Sequence, residues 1–299
     1  MSPAWIAVDW GTTNLRVWAM DRDGSVLAER GSDAGMLRAG DRGFEAHLLD
    51  LISDWLPSGQ RMLVLASGMV GARQGWIEAP YAELPWGGAA VADAVAPETE
   101  DPRIDVRILP GLCQRDPADV MRGEETQIHG FLHGHPGFTG LVCLPGTHSK
   151  WVRIKQGAVV GFHTAMTGEL FALLSEQSVL KHSMTGEWDD AAFSDGVADA
   201  LQTPGSLTAS LFAIRADDLL SDVPPGAGKA RLSGLLIGAE LAAADLREQQ
   251  VALIGSGALM DLYRMALRVV GVEATEHDAG AAARAGLFAA WLAIAGDDT

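Results

Sequence analysis

Runs of apolar residues broken by short polar turns open the chain. Trp5-Ile6-Ala7-Val8-Asp9 predicts a strand that ends in a carboxylate, and Leu15 to Asp21 predicts a second strand after the tight turn Trp10 to Asn14. Asp23-Gly24, within the turn Arg22-Asp23-Gly24-Ser25, is a hairpin signal leading into a third strand, Val26 to Arg30. Antiparallel strands therefore come first, unlike the start of a Rossmann unit. The pattern returns in the middle of the chain. Val142 to Ile154 contains the turn Pro145-Gly146-Thr147-His148-Ser149-Lys150, breaks at Gln156-Gly157 and resumes with Ala158-Val159-Val160. Gly11-Thr12 thus reappears as Gly146-Thr147, the mark of an internal duplication and of two related lobes.

Between the two copies, Arg61 to Ala66 and Val106 to Leu109 predict short strands, and Ser67 to Gly71 predicts a turn into an irregular segment reaching Trp86. From Met121 onward, Ile128, Phe131 and Leu132 share one helical face, with Glu124 and Glu125 in the first turn, where carboxylates suit the helix dipole. Leu170, Leu173 and Leu174 predict a helix, as do Leu232, Leu235, Leu236 and Ala239, with a less regular stretch around Asp217 to Gly228 between them. Val251 to Ile254 predicts a buried strand, Gly255-Ser256-Gly257 a turn, and Leu259 to Val270 an amphipathic helix. Ala279 to Ala295 predicts a final packed helix. The expected division is residues 1–138 and 139–299, with the final helix free to return to the first lobe.

Composition narrows the function classes. The 299 residues, 48% hydrophobic and 20% charged, suit a folded chain too long for one core. A formal net charge of −17 excludes a nucleic-acid surface, which needs clustered Lys and Arg. No run attains the roughly 18 to 20 uncharged apolar residues of a membrane span. The N-terminus has no leader pattern, and Cys113 and Cys143 form no disulfide framework. A cytoplasmic protein without a membrane partner is expected. Nothing fixes the oligomeric state, and a homodimer is compatible. In so acidic a chain an anionic substrate requires local basic pockets, which draws attention to Arg16, Arg73, Arg115, Arg122 and Lys150.

Asp9-Trp10-Gly11-Thr12-Thr13-Asn14-Leu15-Arg16 brings backbone N–H groups and hydroxyls together at a strand end, an arrangement that holds phosphate oxygens. Asp9 either caps this turn or holds Mg²⁺, an ion that keeps much of its water. The turn at Gly146, Thr147 and His148 repeats the arrangement and adds Lys150, while Gly255-Ser256-Gly257 offers bare backbone to a flat nucleoside. No Gly-x-x-x-x-Gly-Lys-Ser/Thr sequence is present, so a P-loop kinase is excluded, and no His-Arg-Asp sequence marks a protein kinase.

The order of these motifs resembles the superfamily of actin, hexokinase and glycerol kinase, with two phosphate loops and an adenosine loop. The longer strings Gly68 to Trp76 with Glu78 to Tyr81, Pro110-Gly111-Leu112 through Arg122 to Gln127, and Leu144 to Trp151 are similar to the 2-dehydro-3-deoxygalactonokinase family. The resemblance implies a two-lobed α/β actin-like ATPase fold, a duplicated ribonuclease H-like architecture with an interlobe cleft. It also implies MgATP-dependent phosphorylation of 2-dehydro-3-deoxy-D-galactonate at its C6 hydroxyl. It gives the ATP phosphates to Gly11, Thr12, Thr13, Asn14, Gly146, Thr147, His148 and Lys150, the nucleoside to Gly255, Ser256 and Gly257, and Mg²⁺ to Asp9. Arg16 or Lys150 would steady the migrating phosphoryl group. Glu124 and Glu125 lie at nearly equal spacing ahead of the second loop, so either is the base. Arg73 is the first choice for the substrate carboxylate, with Arg115 and Arg122 in reserve, and Gln74, Trp76 and Tyr81 could wall the sugar chain, or Trp76 and Tyr81 simply pack. Rival readings on the same fold are a kinase for another acceptor, an ATP-binding sensor or assembly protein, and a phosphatase.

Overall fold

The computed structural model describes residues 3–39, 42–88, 91–221, 224, 226–246 and 250–297. The first half of the chain runs β1 (Trp5–Trp10), β2 (Leu15–Met20), β3 (Val26–Ser32), α1 (Met36–Ala39), α2 (Phe44–Ile52), β4 (Met62–Gly68), β5 (Tyr81–Glu83), β6 (Ile104–Ile108), β7 (Gly111–Gln114), β8 (Asp119–Met121) and α3 (Glu124–Gly134). The second half runs β9 (Gly140–Leu144), β10 (Ser149–Lys155), β11 (Ala158–Ala165), α4 (Thr167–Gln177), α5 (Asp190–Gln202), α6 (Leu207–Leu220), α7 (Ala227–Ala243), β12 (Val251–Gly255), α8 (Gly257–Val269), β13 (Ala274–Asp278) and α9 (Ala279–Asp297).

Two five-stranded sheets carry the same order, β3-β2-β1-β4-β6 and β11-β10-β9-β12-β13. In each, the first strand of a meander sits at the centre and pairs in parallel with a strand far along the chain, β1 with β4 and β9 with β12. The duplicated Gly-Thr turns therefore occupy equivalent places, each joining the central strand to its meander neighbour, as the duplicated ribonuclease H-like fold requires. A third sheet, β5-β7-β8, precedes α3.

The chain divides into two compact units. The first comprises residues 1–138, 154–161 and 279–299, and the second residues 139–153 and 162–278. In the first unit, strand alternation supplies two cores at once. Ile6, Val8, Leu15, Val17, Val64 and Ala66 pack with Leu48 and Ile52 of α2 on one face, while Trp5, Ala7, Trp18, Met20 and Leu65 pack with Leu287 and Ala290 of α9 on the other. Among the described residues α9 alone is long and apolar enough to cross a membrane, and here its apolar side chains cover a sheet. Trp5 stacks on Trp291 with ring centroids 5.6 Å apart. Helix α9 also lies directly on α3: a Cβ at Gly130 would overlap the Ala282 carbonyl, and one at Gly286 would overlap that of Thr126.

The core of the second unit joins Leu141, Cys143, Val251 and Leu253 of its sheet to Phe193 and Val197 of α5, Ile237 and Leu241 of α7, and Tyr263 of α8. One expectation needs correction here. The stretch Asp217 to Gly228 is not irregular throughout: Asp217 to Leu220 complete α6, and Ala227 and Gly228 begin α7. Asp222, Val223 and Pro225 of that stretch lie outside the described residues. The helical segment α5, whose small and acidic residues give a broken apolar pattern, has no counterpart in the sequence reading, and neither has the β5-β7-β8 sheet.

Candidate active site

The register of β1 and β2 sets Asp9 opposite Arg16, and the two form an ion pair with Nη2 2.6 Å from Oδ2. The connecting turn is closed by the Gly11 N–H donating to the Asn14 carbonyl at 2.9 Å. Its remaining carbonyls are claimed from outside: the N–H groups of Gly35, Met36 and Leu37 donate to Thr13, Gly11 and Thr12 at 3.3, 3.0 and 3.2 Å. With those acceptors occupied, the exposed Thr12, Thr13 and Asn14 present hydroxyl and amide groups outward, which is what an anion site needs.

Parallel pairing with β4 places Ser67 opposite Asp9 and Gly68 opposite Trp10. Gly68 has φ 97°, and a Cβ there would stand 2.6 Å from the Trp10 carbonyl, so no other residue fits without a shift. A Cβ at Gly123 would stand 3.2 Å from the Gly68 Cα, so the start of α3 lies at the ends of β1 and β4. Ser67 is buried and its hydroxyl has no partner. Sequence reasoning passed over it because only the strand register shows that it faces Asp9.

The two glutamates at the start of α3 occupy different surroundings. Glu125 is 3% exposed, whereas Glu124 is partly open and accepts the Arg122 N–H at 3.0 Å. Burial, reinforced by the neighbouring Glu124 charge, pushes the Glu125 carboxyl up to about 8, against hydrogen bonds from Gly123 and Thr126 that pull it down. At neutral pH Glu125 is thus mainly protonated and shielded, while Glu124 is the carboxylate within reach of solvent.

The three arginines also separate. Arg73 and Arg115 are about four-fifths exposed and pair with Glu78 at 3.3 Å and Glu83 at 2.6 Å. The Arg122 Cζ lies over the Tyr81 ring, 4.3 Å from its centroid, and Nη2 donates to the Ala79 carbonyl at 2.8 Å. Its buried Nε and Nη1 have no partner. Gln74 is exposed, and Trp76 is stacked on Phe44 and edge-on to Trp10.

In the second unit, the turn after β9 is tied to the start of α4: the Glu169 N–H donates to the Thr147 carbonyl at 3.0 Å, and His148 Nε2 meets the Glu169 carboxylate. Lys150 is buried with Nζ on the Thr164 hydroxyl at 3.0 Å, so it does not project from the turn as an open cation. Gly255 ends β12 beside Pro145, Ser256 is exposed, and Gly257, with φ 64°, starts α8. Next to these turns opens a cavity of about 540 Å³, walled by Phe171, Trp188, Ile237 and Leu262 and carrying Lys229 and Asp190 on its lining. A mainly apolar cavity with a few polar groups suits a nucleoside. Phe171 and Trp188 lay beyond sequence reasoning because neither belongs to a turn motif.

The family model described as 2-keto-3-deoxy-galactonokinase matches residues 9–290. A Rhizobium meliloti (strain 1021) protein named probable 2-dehydro-3-deoxygalactonokinase is 44% identical over 299 residues, 96% of each chain. The 2-dehydro-3-deoxygalactonokinase of Escherichia coli (strain K12) is 34% identical over 301 residues, 99% of this chain and 100% of that one. A crystal structure of a Sinorhizobium meliloti protein given the same name superposes with a TM-score of 0.89 at 43% identity, covering 97% of this chain and 99% of that one. By sequence and by fold, this chain belongs to the 2-keto-3-deoxy-galactonokinase family.

Proposed function

We propose that this kinase transfers the γ-phosphoryl group of ATP to the C6 hydroxyl of 2-dehydro-3-deoxy-D-galactonate, giving the 6-phosphate and ADP in galactonate breakdown. One observation carries the reading: the family match runs from residue 9 to residue 290 and so includes both Gly-Thr turns, the start of α3 and Gly255 to Gly257. A reaction that consumes ATP and a free sugar acid belongs in the cytoplasm.

Glu124 is the base. The C6 oxygen forms its bond to the γ-phosphorus, the bond from the γ-phosphorus to the oxygen bridging it to the β-phosphorus breaks, and the proton of the C6 hydroxyl passes late to the Glu124 carboxylate. In a loose transition state positioning contributes more than basicity. Keeping Glu125 neutral leaves one charge at the helix start rather than two in mutual repulsion. Arg122 takes the substrate carboxylate: it is the guanidinium with unpartnered N–H groups, whereas Arg73 and Arg115 already hold glutamates.

Thr12, Thr13 and Asn14, together with Gly146, Thr147 and His148, take the phosphates, and the cavity beside Gly255 to Gly257 takes the adenosine. Asp9 fits Mg²⁺: Arg16 holds Oδ2, Oδ1 accepts no hydrogen bond among the described residues, and the side chain is 14% exposed. A single carboxylate is enough for an ion that keeps its water and binds phosphate oxygens. When bound, Mg²⁺ offsets phosphate charge, and Arg16 keeps the Asp9 carboxylate oriented.

An ADP-release assay with MgATP and a panel of 2-dehydro-3-deoxy aldonic acids tests the reading. Turnover of the galactonate form is expected, lowered about 10²- to 10⁴-fold in Glu124→Gln. Glu125→Gln should retain far more activity. Absence of ADP with every acid would reject the sugar-acid assignment, and an inactive Glu125→Gln beside an active Glu124→Gln would reverse the assignment of the base.

A further inference from the structure

Glu240 of α7 is 5% exposed, and no cation reaches it among the described residues. Its partners are neutral donors from three other elements. Trp151 Nε1 of β10 donates to Oε1 at 2.6 Å, the Tyr263 hydroxyl of α8 donates to Oε2 at 2.8 Å, and the Thr167 hydroxyl at the start of α4 donates to the same Oε2. Burying a carboxylate without a counter-charge is costly even when it is hydrogen-bonded, and apolar packing of the same volume usually serves stability as well or better. Stability alone is therefore a weak reason for this residue.

The network leads to the second Gly-Thr turn. Tyr263 Oη lies 2.6 Å from Ser149 Oγ, and Ser149 Oγ accepts the Gly146 N–H at 3.4 Å. An ionised carboxylate only accepts. The direction of the chain is thereby fixed: Tyr263 donates to Glu240, Ser149 donates to Tyr263, and the Ser149 lone pairs are left for Gly146. Burial holds the Glu240 carboxyl above its ordinary value, and the Thr167, Trp151, Tyr263 and Ser149 contacts oppose that rise; the direction of the chain rests on Thr167, Trp151 and Tyr263 all donating to the carboxyl. Thr167 anchors the other flank, since α4 carries the Glu169 N–H that holds the Thr147 carbonyl. Thr167 and Tyr263 also line the 540 Å³ cavity.

We propose that Glu240 is a positioning residue for nucleotide phosphate, its carboxylate orienting the Ser149 hydroxyl and the start of α4 so that the turn Gly146 to His148 is set for the polyphosphate. The proposal rests on the reading of that turn as a phosphate site. A glutamine of equal size would reverse the chain: its amide would donate to Tyr263, Tyr263 to Ser149, and the Ser149 proton would lose its acceptor. The consequence should fall on phosphate and spare the nucleoside.

Calorimetric titration of ADP and of adenosine, in the presence of Mg²⁺, into the wild-type protein, Glu240→Gln and Ser149→Ala provides the test. ADP affinity is expected to fall about tenfold in both variants, the size of one charge-assisted hydrogen bond, with adenosine affinity unchanged. In turnover, KM for ATP should rise while KM for the sugar acid stays fixed. Equal weakening of both ligands, or a lowered melting temperature with no change in binding, would make Glu240 a structural residue only and overturn the proposal. A wild-type protein that binds adenosine as tightly as ADP would overturn instead the reading of the turn. Should Glu240→Gln fail to fold, Ser149→Ala decides, because it removes one hydroxyl and leaves the carboxylate in place.

Discussion

Glu125 closes back on the backbone N–H of Gly123, which stands 2.7 and 2.9 Å from its two carboxyl oxygens. The side chain thereby braces the glycine that precedes Glu124 while remaining out of solvent. Its carboxyl, pushed to about 8 in the folded protein from an ordinary value of 4.5, links folding to pH. The folded state holds this proton more tightly than the unfolded chain, so the contribution is full below the unfolded value and is lost as pH rises through about 8. Melting temperatures measured from about pH 6 to pH 9 should decline, and Glu125→Gln should flatten the decline. An unchanged slope in the variant would place the effect elsewhere.

The unpartnered Nε and Nη1 of Arg122 predict a substrate-specific defect. Arg122→Lys keeps the charge and loses the planar fork, so KM for the sugar acid should rise roughly 10- to 100-fold with KM for ATP little altered. Arg73→Ala and Arg115→Ala, which break exposed pairs, should change either constant only slightly. Steady-state kinetics with each substrate varied in turn will separate the three, and a larger defect in Arg73→Ala would move the carboxylate site to the Gly71 to Gly75 loop.

Asp9→Asn keeps the shape of the turn and removes the charge offered to Mg²⁺. The metal concentration for half-maximal turnover should rise about tenfold or more, since a charged contact to the hydrated ion is lost. Metal titration at saturating ATP reads this directly. If the midpoint stays put, Asp9 serves only to hold Arg16.

Gly130 and Gly286 predict a packing limit. Alanine at either position drives a methyl group into the opposite helix backbone, which should cost about 1–3 kcal/mol or more in urea denaturation. Because α3 carries Glu124, activity at full folding should also drop. A neutral Gly286→Ala would mean that α9 can draw away from α3 freely.

The parts of this architecture that sequence discloses are local. Asp23-Gly24 specifies a hairpin by backbone geometry alone, and the repeat of Gly11-Thr12 as Gly146-Thr147 discloses two sheets of one design. The pairing of Glu124 and Glu125 in a first helical turn was equally plain, yet their separation into open and buried groups was not, because it depends on how α3 meets its surroundings. The Glu240 network was invisible for the same reason: Trp151, Thr167 and Tyr263 reach it across 89, 73 and 23 residues of sequence. Helix α5 escaped notice because its buried face is made largely of Gly196, Val197 and Ala200 about a single Phe193, too small a pattern to stand out.

Placing α9 beneath the β1-β2-β4 sheet has a consequence for synthesis. Leu287 and Ala290 complete a core begun by Trp5 and Ala7, so the first unit is not a continuous stretch of chain. A nascent chain halted between β6 and α9 holds all the strands of that sheet but leaves Trp5, Trp18 and Leu65 uncovered. The second unit, whose residues end at Asp278, has its whole sequence in hand while the first still waits for its last helix to leave the ribosome.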